Sequence, residues 1–145
     1  MIFTKACEYG IRAAIYITQQ SLNGNRASLK DISREIDSPE AFTAKILQML
    51  VKGGIIISVK GATGGFEIEQ KPVKKIKLSD IVRAIDGESA VNMCVIGLKK
   101  CSEVNPCPLH DQYKHIKKDL LSMLKDTSLL EMSAGLNEGS TCLKI

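Results

Sequence analysis

Apolar residues recur three and four positions apart through the first fifty residues, then give way to a two-residue alternation. In TKACEYGIRAAIYITQQSLN the positions Ala6, Tyr9, Ala13, Tyr16 and Ile17 share one helical stripe, Thr4 is suited to cap the start and Asn23-Gly24 supplies a stop, which predicts a helix over 5–22. Ser28 then opens SLKDISREID with Asp31 three positions on, a helix-start signature, and Leu29, Ile32 and Ile36 form a narrow stripe. This predicts a short second helix. Ser38-Pro39 is a further start signal, because serine caps and proline at the first helical position gives up an N–H that has no partner there anyway. A third helix is predicted over 39–51, with Phe42, Ile46, Met49 and Leu50 inward and Glu40, Ala41, Thr43, Ala44, Lys45 and Gln48 on or near the opposite face.

Gly53-Gly54 ends that helix. IIISVK is β-branched, GATGG interrupts it and FEIEQ alternates strictly, the pattern of a hairpin with a glycine-rich tip and Lys60 at its base. Two short helices separated by a tight turn and followed at once by a hairpin make a winged helix-turn-helix, whose third helix is free to enter a major groove of double-stranded DNA. Helix pairs and glycine-rich hairpins also occur separately in proteins that never touch DNA, so their order carries this reading.

Beyond the lysine-rich KPVKKIK, Ser79 is expected to cap a short helix, DIVRAIDG, and Gly97, Asn105, Pro106 and Pro108 mark a loop. From Leu109 the positions Tyr113, Ile116, Leu120 and Met123 alternate by four and three, the seam of a helix to about residue 125 that packs along a partner helix. A seam this short also occurs as an intramolecular stripe. Because the first domain already has a three-helix core, Tyr113, Ile116, Leu120 and Met123 are assigned to a homodimer interface. Asp126-Thr127-Ser128 caps a last short helix, SLLEMSA, and GLNEGSTCLKI reads as a frayed tail. The fold class is mostly α with a small β-hairpin. A winged helix-turn-helix DNA-binding domain is expected over 1–75, and 76–145 holds a helix, a cysteine loop, a long dimerisation helix and the tail, packed with the first as one unit.

Composition narrows the setting. A chain of 145 residues with 44% hydrophobic content can form one packed core. The net charge of +4 lies wholly in the first half, which has 11 Lys/Arg against 7 Asp/Glu over 1–75 and 9 against 9 over 76–145, and so favours an anionic partner there. No apolar run approaches the roughly 20 residues that cross a bilayer. MIFTKACEYG leads into charged, helix-like sequence rather than a secretion signal, so a soluble, cytoplasmic protein without a membrane partner is expected.

The five cysteines are an odd number, which argues against a disulfide framework and for a reducing compartment. Three of them, with His110, lie in CVIGLKKCSEVNPCPLH at C-x6-C-x5-C-x2-H spacing. Structural zinc sites usually pair ligands as C-x2-4-C, and the first two intervals here are wider. Iron–sulfur clusters accept wider and more varied intervals, since each iron takes its own cysteine. Free thiols fit less well, because isolated cysteine is usually buried as a small hydrophobe and these sit among Lys, Asn and Pro. A nucleophilic Cys107–His110 pair would lack a third orienting residue and oxyanion donors, so no catalytic residue and no enzyme activity are assigned. Cys7 reads as a packed small side chain, and Cys142 lies in the tail.

The whole set of motifs resembles the Rrf-two family of winged-helix transcriptional regulators: the start MIFTKACEYGIRA, the helix-turn-helix SLKDISREIDSPEAFTAKILQMLVKGGII, the wing SVKGATGGFEI and the CxxxxxxCxxxxxCxxH before the long helix. The resemblance implies a homodimer with the third helix in the major groove and the wing in the minor groove of an operator. It brings Ser38, Ala41, Phe42, Ala44 and Lys45, and Ser58, Val59, Lys60 and Gly61 of the wing, to the DNA. It also implies that Cys94, Cys101 and Cys107 hold a 2Fe–2S or 4Fe–4S cluster. The fourth ligand is His110 in the iron–sulfur-regulator branch, where the Ala44 position carries a base-reading glutamate that this chain lacks. In the nitric-oxide-sensing branch it is an acidic residue near the N-terminus of the other subunit, where Glu8 stands. Such a cluster would sense iron–sulfur status, oxygen or nitric oxide and alter the spacing of the two recognition helices. The alternatives are a zinc-binding or ligand-responsive regulator of the same fold without a cluster, and an adaptor that does not bind DNA.

Overall fold

In the computed structural model, which describes residues 2–92 and 94–145, Thr4 is extended and its hydroxyl accepts from the Cys7 N–H at 3.1 Å. That cap starts α1 (Lys5–Leu22) where the pattern predicts it. Met1 of the N-terminal motif lies outside the described residues. Ala13, Ala14, Ile17 and Thr18 are wholly buried, and α1 is the axis on which the later helices pack. The buried Thr18 hydroxyl is satisfied within the helix, donating to the Ala14 carbonyl at 2.7 Å.

The second helix, α2 (Leu29–Glu35), begins at Ser28, whose hydroxyl accepts from the Asp31 N–H at 3.1 Å. The third, α3 (Glu40–Lys52), starts differently from expectation. Pro39 sits at the cap, no side chain caps it, and Ser38 is buried with its hydroxyl 2.9 Å from that of Thr43. The inward row is Thr43, Ile46, Leu47 and Leu50, and Met49 is 40% exposed. Thr43 can face the core because its hydroxyl also reaches the Pro39 carbonyl at 2.9 Å. The apolar stripe is thereby rotated relative to the one that hydrophobicity alone predicts.

The hairpin pairs β1 (Ile57–Val59) antiparallel with β2 (Gly65–Glu67) in the register Ile57↔Glu67, Ser58↔Phe66 and Val59↔Gly65. Ile55 and Ile56 turn into the core instead of lengthening the strand. A third segment joins the pair, since Ala27 and Phe66 exchange both backbone hydrogen bonds at 3.0 and 2.8 Å. Two glycines make this possible. A Cβ on Gly64 would stand 2.2 Å from the Val59 carbonyl, and Gly65, at φ 138°, would place one 2.8 Å from the Ala27 carbonyl.

The lysine-rich stretch contains a helical turn, α4 (Gln70–Val73), and Val73 and Ile76 beside it are buried. Next, α5 (Leu78–Asp86) begins before the serine expected to cap it. The Asp80 carboxylate accepts from the Lys77 N–H at 2.8 Å, and Ser79 lies inside the first turn. Gly87 ends this helix at φ 81° and a 3₁₀ turn, Glu88–Asn92, follows.

The long helix, α6 (His110–Asp126), leads into α7 (Leu129–Asn137), which Ser128 and Glu131 cap reciprocally. Leu78 donates to the Thr127 carbonyl at 3.0 Å and Leu129 to the Ile76 carbonyl at 2.9 Å, so the starts of α5 and α7 are tied together. Leu129 is wholly buried in the same cluster as Ile32 and Leu50. The tail does not fray: Leu143 packs on this core and accepts from Arg12 Nη1 at 3.3 Å, and Lys144 donates to the Arg34 carbonyl at 3.1 Å. No described helix is long and apolar enough to cross a membrane.

Because α7 is core rather than appendage, Leu129→Ala is expected to destabilise the whole protein by roughly 2–5 kcal/mol, the range for truncating a buried leucine. Urea unfolding followed by circular dichroism measures this. A destabilisation below about 1 kcal/mol would mean that the end of the chain packs only peripherally.

Candidate nucleic-acid interface and cysteine loop

The turn between α2 and α3 is tight enough that Asp37 adopts φ 52°, a left-handed conformation that the short aspartate side chain tolerates better than most. Arg12 of α1 donates to the Ile36 carbonyl at 2.9 Å, which satisfies the end of α2 and holds the turn against the core. Phe42 is half-buried against Tyr9, with ring centroids 5.7 Å apart in an edge-to-face arrangement, and the Arg12 guanidinium covers the Tyr9 ring at 4.7 Å. These contacts set how far α3 projects from the domain.

What projects is a polar face. Ala41, Lys45, Gln48 and Lys52 are exposed and Ala44 is half-buried, whereas Ser38 is buried. In the wing, Ser58, Lys60 and Gly61 are exposed and Val59 is half-buried. Ala44, Gln48 and Lys52 follow one another at helical spacing along a groove of about 370 Å³, whose far wall is Ser58 and Phe66 of the hairpin. Of the expected contacts, Ala44 of α3 and Ser58 of the wing therefore share one groove. Gln48 is expected on the outward face but not among the DNA contacts, and Lys52 is in neither set, although both stand at i, i+4, i+8 from Ala44.

The loop from Cys94 to Leu109 returns the chain from the 3₁₀ turn to α6. Cys94 is buried, and Cys101 and Cys107 are half-buried. The backbone N–H of Ile96, with those of Leu98 and Gly97 and the Cys107 thiol, points to the Cys94 sulfur and lowers its pKa against the opposing effect of burial. Cys107 moves the other way, raised chiefly by burial and also by Cys94 and Cys101, although the Leu109 N–H favours its thiolate. The Cys101 sulfur is 3.6 Å from His110 Nδ1. Of the four predicted donors, Cys101 and His110 are in direct contact, and Cys107 feels both Cys94 and Cys101. Among the described residues no three such side chains converge into one group able to hold a metal ion. Glu8 is on α1, ion-paired with Lys5 at 3.4 Å.

Behind Cys94 lies an apolar cavity of about 260 Å³ walled by Phe3, Val82, Val91, Tyr113 and Leu120, with Lys117 at its side. The predicted dimer seam is split by this packing. Leu120, with Leu121 and Leu124, packs on Cys7, Leu78 and Val82 of its own chain, while Ile116 and Met123 are 60% and 46% exposed.

Residues 3–135 match the Rrf2 family, described as an iron-dependent transcriptional regulator. The chain belongs to the Rrf2 family. It is 31% identical over 135 residues to an HTH-type transcriptional regulator of Aquifex aeolicus, covering 91% of each chain. Among solved structures it is similar to CymR, the global cysteine regulator of B. subtilis, with a TM-score of 0.72 at 20% identity over 91% of this chain and 95% of that one. It is also similar to T. potens IscR, with a TM-score of 0.70 at 24% identity over 96% and 90% of the two chains. The winged helix-turn-helix expectation and the family resemblance are both borne out, and the protein is a DNA-binding transcriptional regulator of the Rrf2 family.

Burial separates the cysteines sharply. Cys7 is wholly enclosed between α1 and α5, and burial, followed by the nearby Asp86 carboxylate, pushes its thiol up to about 12. Timed alkylation of the native protein at pH 8 is expected to label exposed Cys142 first and to leave Cys7 unlabelled until denaturant is added. Peptide mass mapping reads the order. Equal rates at the two sites would show that the α1–α5 packing opens freely.

Proposed function

We propose that this Rrf2-family regulator acts as a homodimer on a two-fold operator and that its cysteine loop holds an iron–sulfur cluster controlling DNA affinity. One observation carries the DNA half of this reading: Ala44, Gln48 and Lys52 of α3 and Ser58 of the wing line a single groove. With α3 in the major groove, Lys45 reaches base edges and Ala41 and Ala44 offer methyl groups to thymine. Ser38 and Phe42 act from behind, fixing the start of the helix and its projection. Lys60 neutralises phosphate at the minor groove, and Gly61, at φ 106°, with Ser58 and Val59, lets the backbone come close. The exposed pair Ile116 and Met123 on α6 supports a second copy as the dimer partner, with Tyr113 and Leu120 bridging that interface to the interior.

The donor set of the loop suits a cluster in chemistry. Cys94 is acidified by backbone amides, Cys101 stands beside His110, and the Rrf2 family is described as iron-dependent. Cys94, Cys101 and Cys107 would hold a 2Fe–2S or 4Fe–4S cluster, with His110 or Glu8 of a second copy as the fourth ligand. When bound, such a group supplies a centre that responds to oxidation, iron loss or nitric oxide. The chain's own contribution is the coupling: the loop runs directly into α6, whose Leu120, Leu121 and Leu124 pack on Val82 of α5 and Cys7 of α1. Gathering these donors onto one centre would move the start of α6 and with it the outer stripe, Ile116 and Met123.

Anaerobically purified protein is expected to be brown and to contain iron, and Cys94→Ala, Cys101→Ala or Cys107→Ala to remove the colour without lowering the melting temperature by more than a few degrees. Full iron content in all three variants would refute the ligand assignment, and a colourless, zinc-containing protein would favour the zinc-bound alternative.

Selection from random duplexes should enrich an inverted repeat. Lys60→Ala should weaken binding to specific and random duplexes alike and lower the salt slope by about 0.9 for each phosphate that the lysine neutralises. Lys45→Ala should instead reduce the preference for the selected sequence by roughly 1–3 kcal/mol per base that the side chain reads. Enrichment of no duplex, with or without the cluster, would leave an adaptor role as the better reading.

A further inference from the structure

The tip of the wing, residues 60–64, is held within the hairpin by the Gly64 N–H, which donates to the Gly61 carbonyl at 3.0 Å. Its glycine content makes it costly to order on its own. A side chain from outside the hairpin reaches it. Arg26 immediately precedes Ala27, the residue bridged to Phe66, and its guanidinium uses two donors at once. Nε donates to Glu67 Oε2 at 3.0 Å and Nη1 donates to the Thr63 carbonyl at 3.1 Å. Glu67 ends β2 and Thr63 lies in the tip, so one planar fork grips both ends of the returning arm of the wing. A polar recess lined by Gln20, Asn25, Arg26 and Thr63 surrounds this fork.

An arginine on the winged part of a DNA-binding protein is first read as a phosphate ligand. Here the fork is already turned onto the protein's own carboxylate and carbonyl. We propose that Arg26 is a positioning residue for DNA binding: it braces the wing against the segment that opens α2 and thereby fixes the angle at which wing and recognition helix meet the duplex. The inference rests on the DNA-binding reading above and deepens it. Ala27 runs straight into Ser28, the cap of α2, so the brace makes the helix-turn-helix and the wing one body. Part of the cost of ordering the tip is then met before DNA arrives. The brace also neutralises Glu67, which would otherwise present a negative charge beside the phosphates. Lysine cannot replace it fully, because a point charge does not offer two diverging donors.

The sign of one substitution separates brace from ligand. Glu67→Ala removes a negative charge near DNA, so simple electrostatics predicts tighter binding; the brace predicts weaker binding, by about three- to fivefold, the order that an exposed ion pair contributes. Arg26→Ala should match it, the double variant should be no worse than either single one, and Arg26→Lys should be intermediate. The salt slope should stay that of the wild type in all of them, whereas removing a phosphate ligand lowers it by about 0.9. Hydrogen exchange on the free protein supplies a readout independent of DNA: amides 62–64 should exchange faster in Arg26→Ala and in Glu67→Ala. Unchanged exchange, or tighter binding by Glu67→Ala, overturns the brace while Lys60→Ala still weakens binding and the DNA reading stands. If the wild type enriches no duplex, the DNA reading fails and the role of the brace in DNA binding fails with it.

Discussion

The burial of α1 is the constraint on which the rest of the structure depends. Ala13, Ala14, Ile17 and Thr18 have no solvent exposure, and the helices on every side of them reach the core only because two of these four side chains are alanine. From this axis Arg12 holds the end of α2, Tyr9 supports Phe42 at the start of α3, and the Ser21 hydroxyl accepts from the Ile68 N–H at 3.0 Å just past the wing. The helix-turn-helix and the wing take their mutual placement from one helix. On its other side, Cys7 of the same helix packs with Leu78, Val82 and Leu124, the cluster that seats α6.

That arrangement gives a physical route between the two ends of the molecule. The cysteine loop touches α6 and the apolar cavity beside Cys94; α6 touches α5 and α1; α1 carries the helix-turn-helix and the wing. Packed interiors transmit displacement because they have few voids to absorb it. The cavity of about 260 Å³ behind Cys94 lies next to the residue whose ligation the proposed switch would change. Among the described residues no three of these side chains converge into one group, so gathering the proposed ligands about one centre would require the loop to rearrange.

Much of this was legible in the residues themselves. Capping chemistry placed the starts of α1, α2 and α7 within a residue or two, because Thr4, Ser28 and Ser128 offer oxygens to orphan N–H groups that no later packing can dispense with, whereas α7 runs three residues beyond the predicted SLLEMSA. The α3 stripe departs from its hydrophobic pattern where polarity and burial part company, at Thr43, whose hydroxyl finds Ser38 and Pro39 inside. GLNEGSTCLKI has no apolar period, yet Leu136 and Leu143 pack on the core and two basic side chains, Arg12 and Lys144, bind it to the body.

Local chemistry, then, determined most of the elements and the order that identifies a winged helix-turn-helix, and it set three cysteines and a histidine within seventeen residues, since caps, glycine turns and side-chain spacing act over a few residues. Only the tertiary structure decided which face of α3 looks outward, that Tyr113 and Leu120 turn toward their own chain while Ile116 and Met123 do not, and that Arg26 reaches across 41 residues to Glu67. The reason is physical: a side chain's partner is set by which surfaces meet when the core closes, and residues far apart in the chain carry no local mark of that meeting.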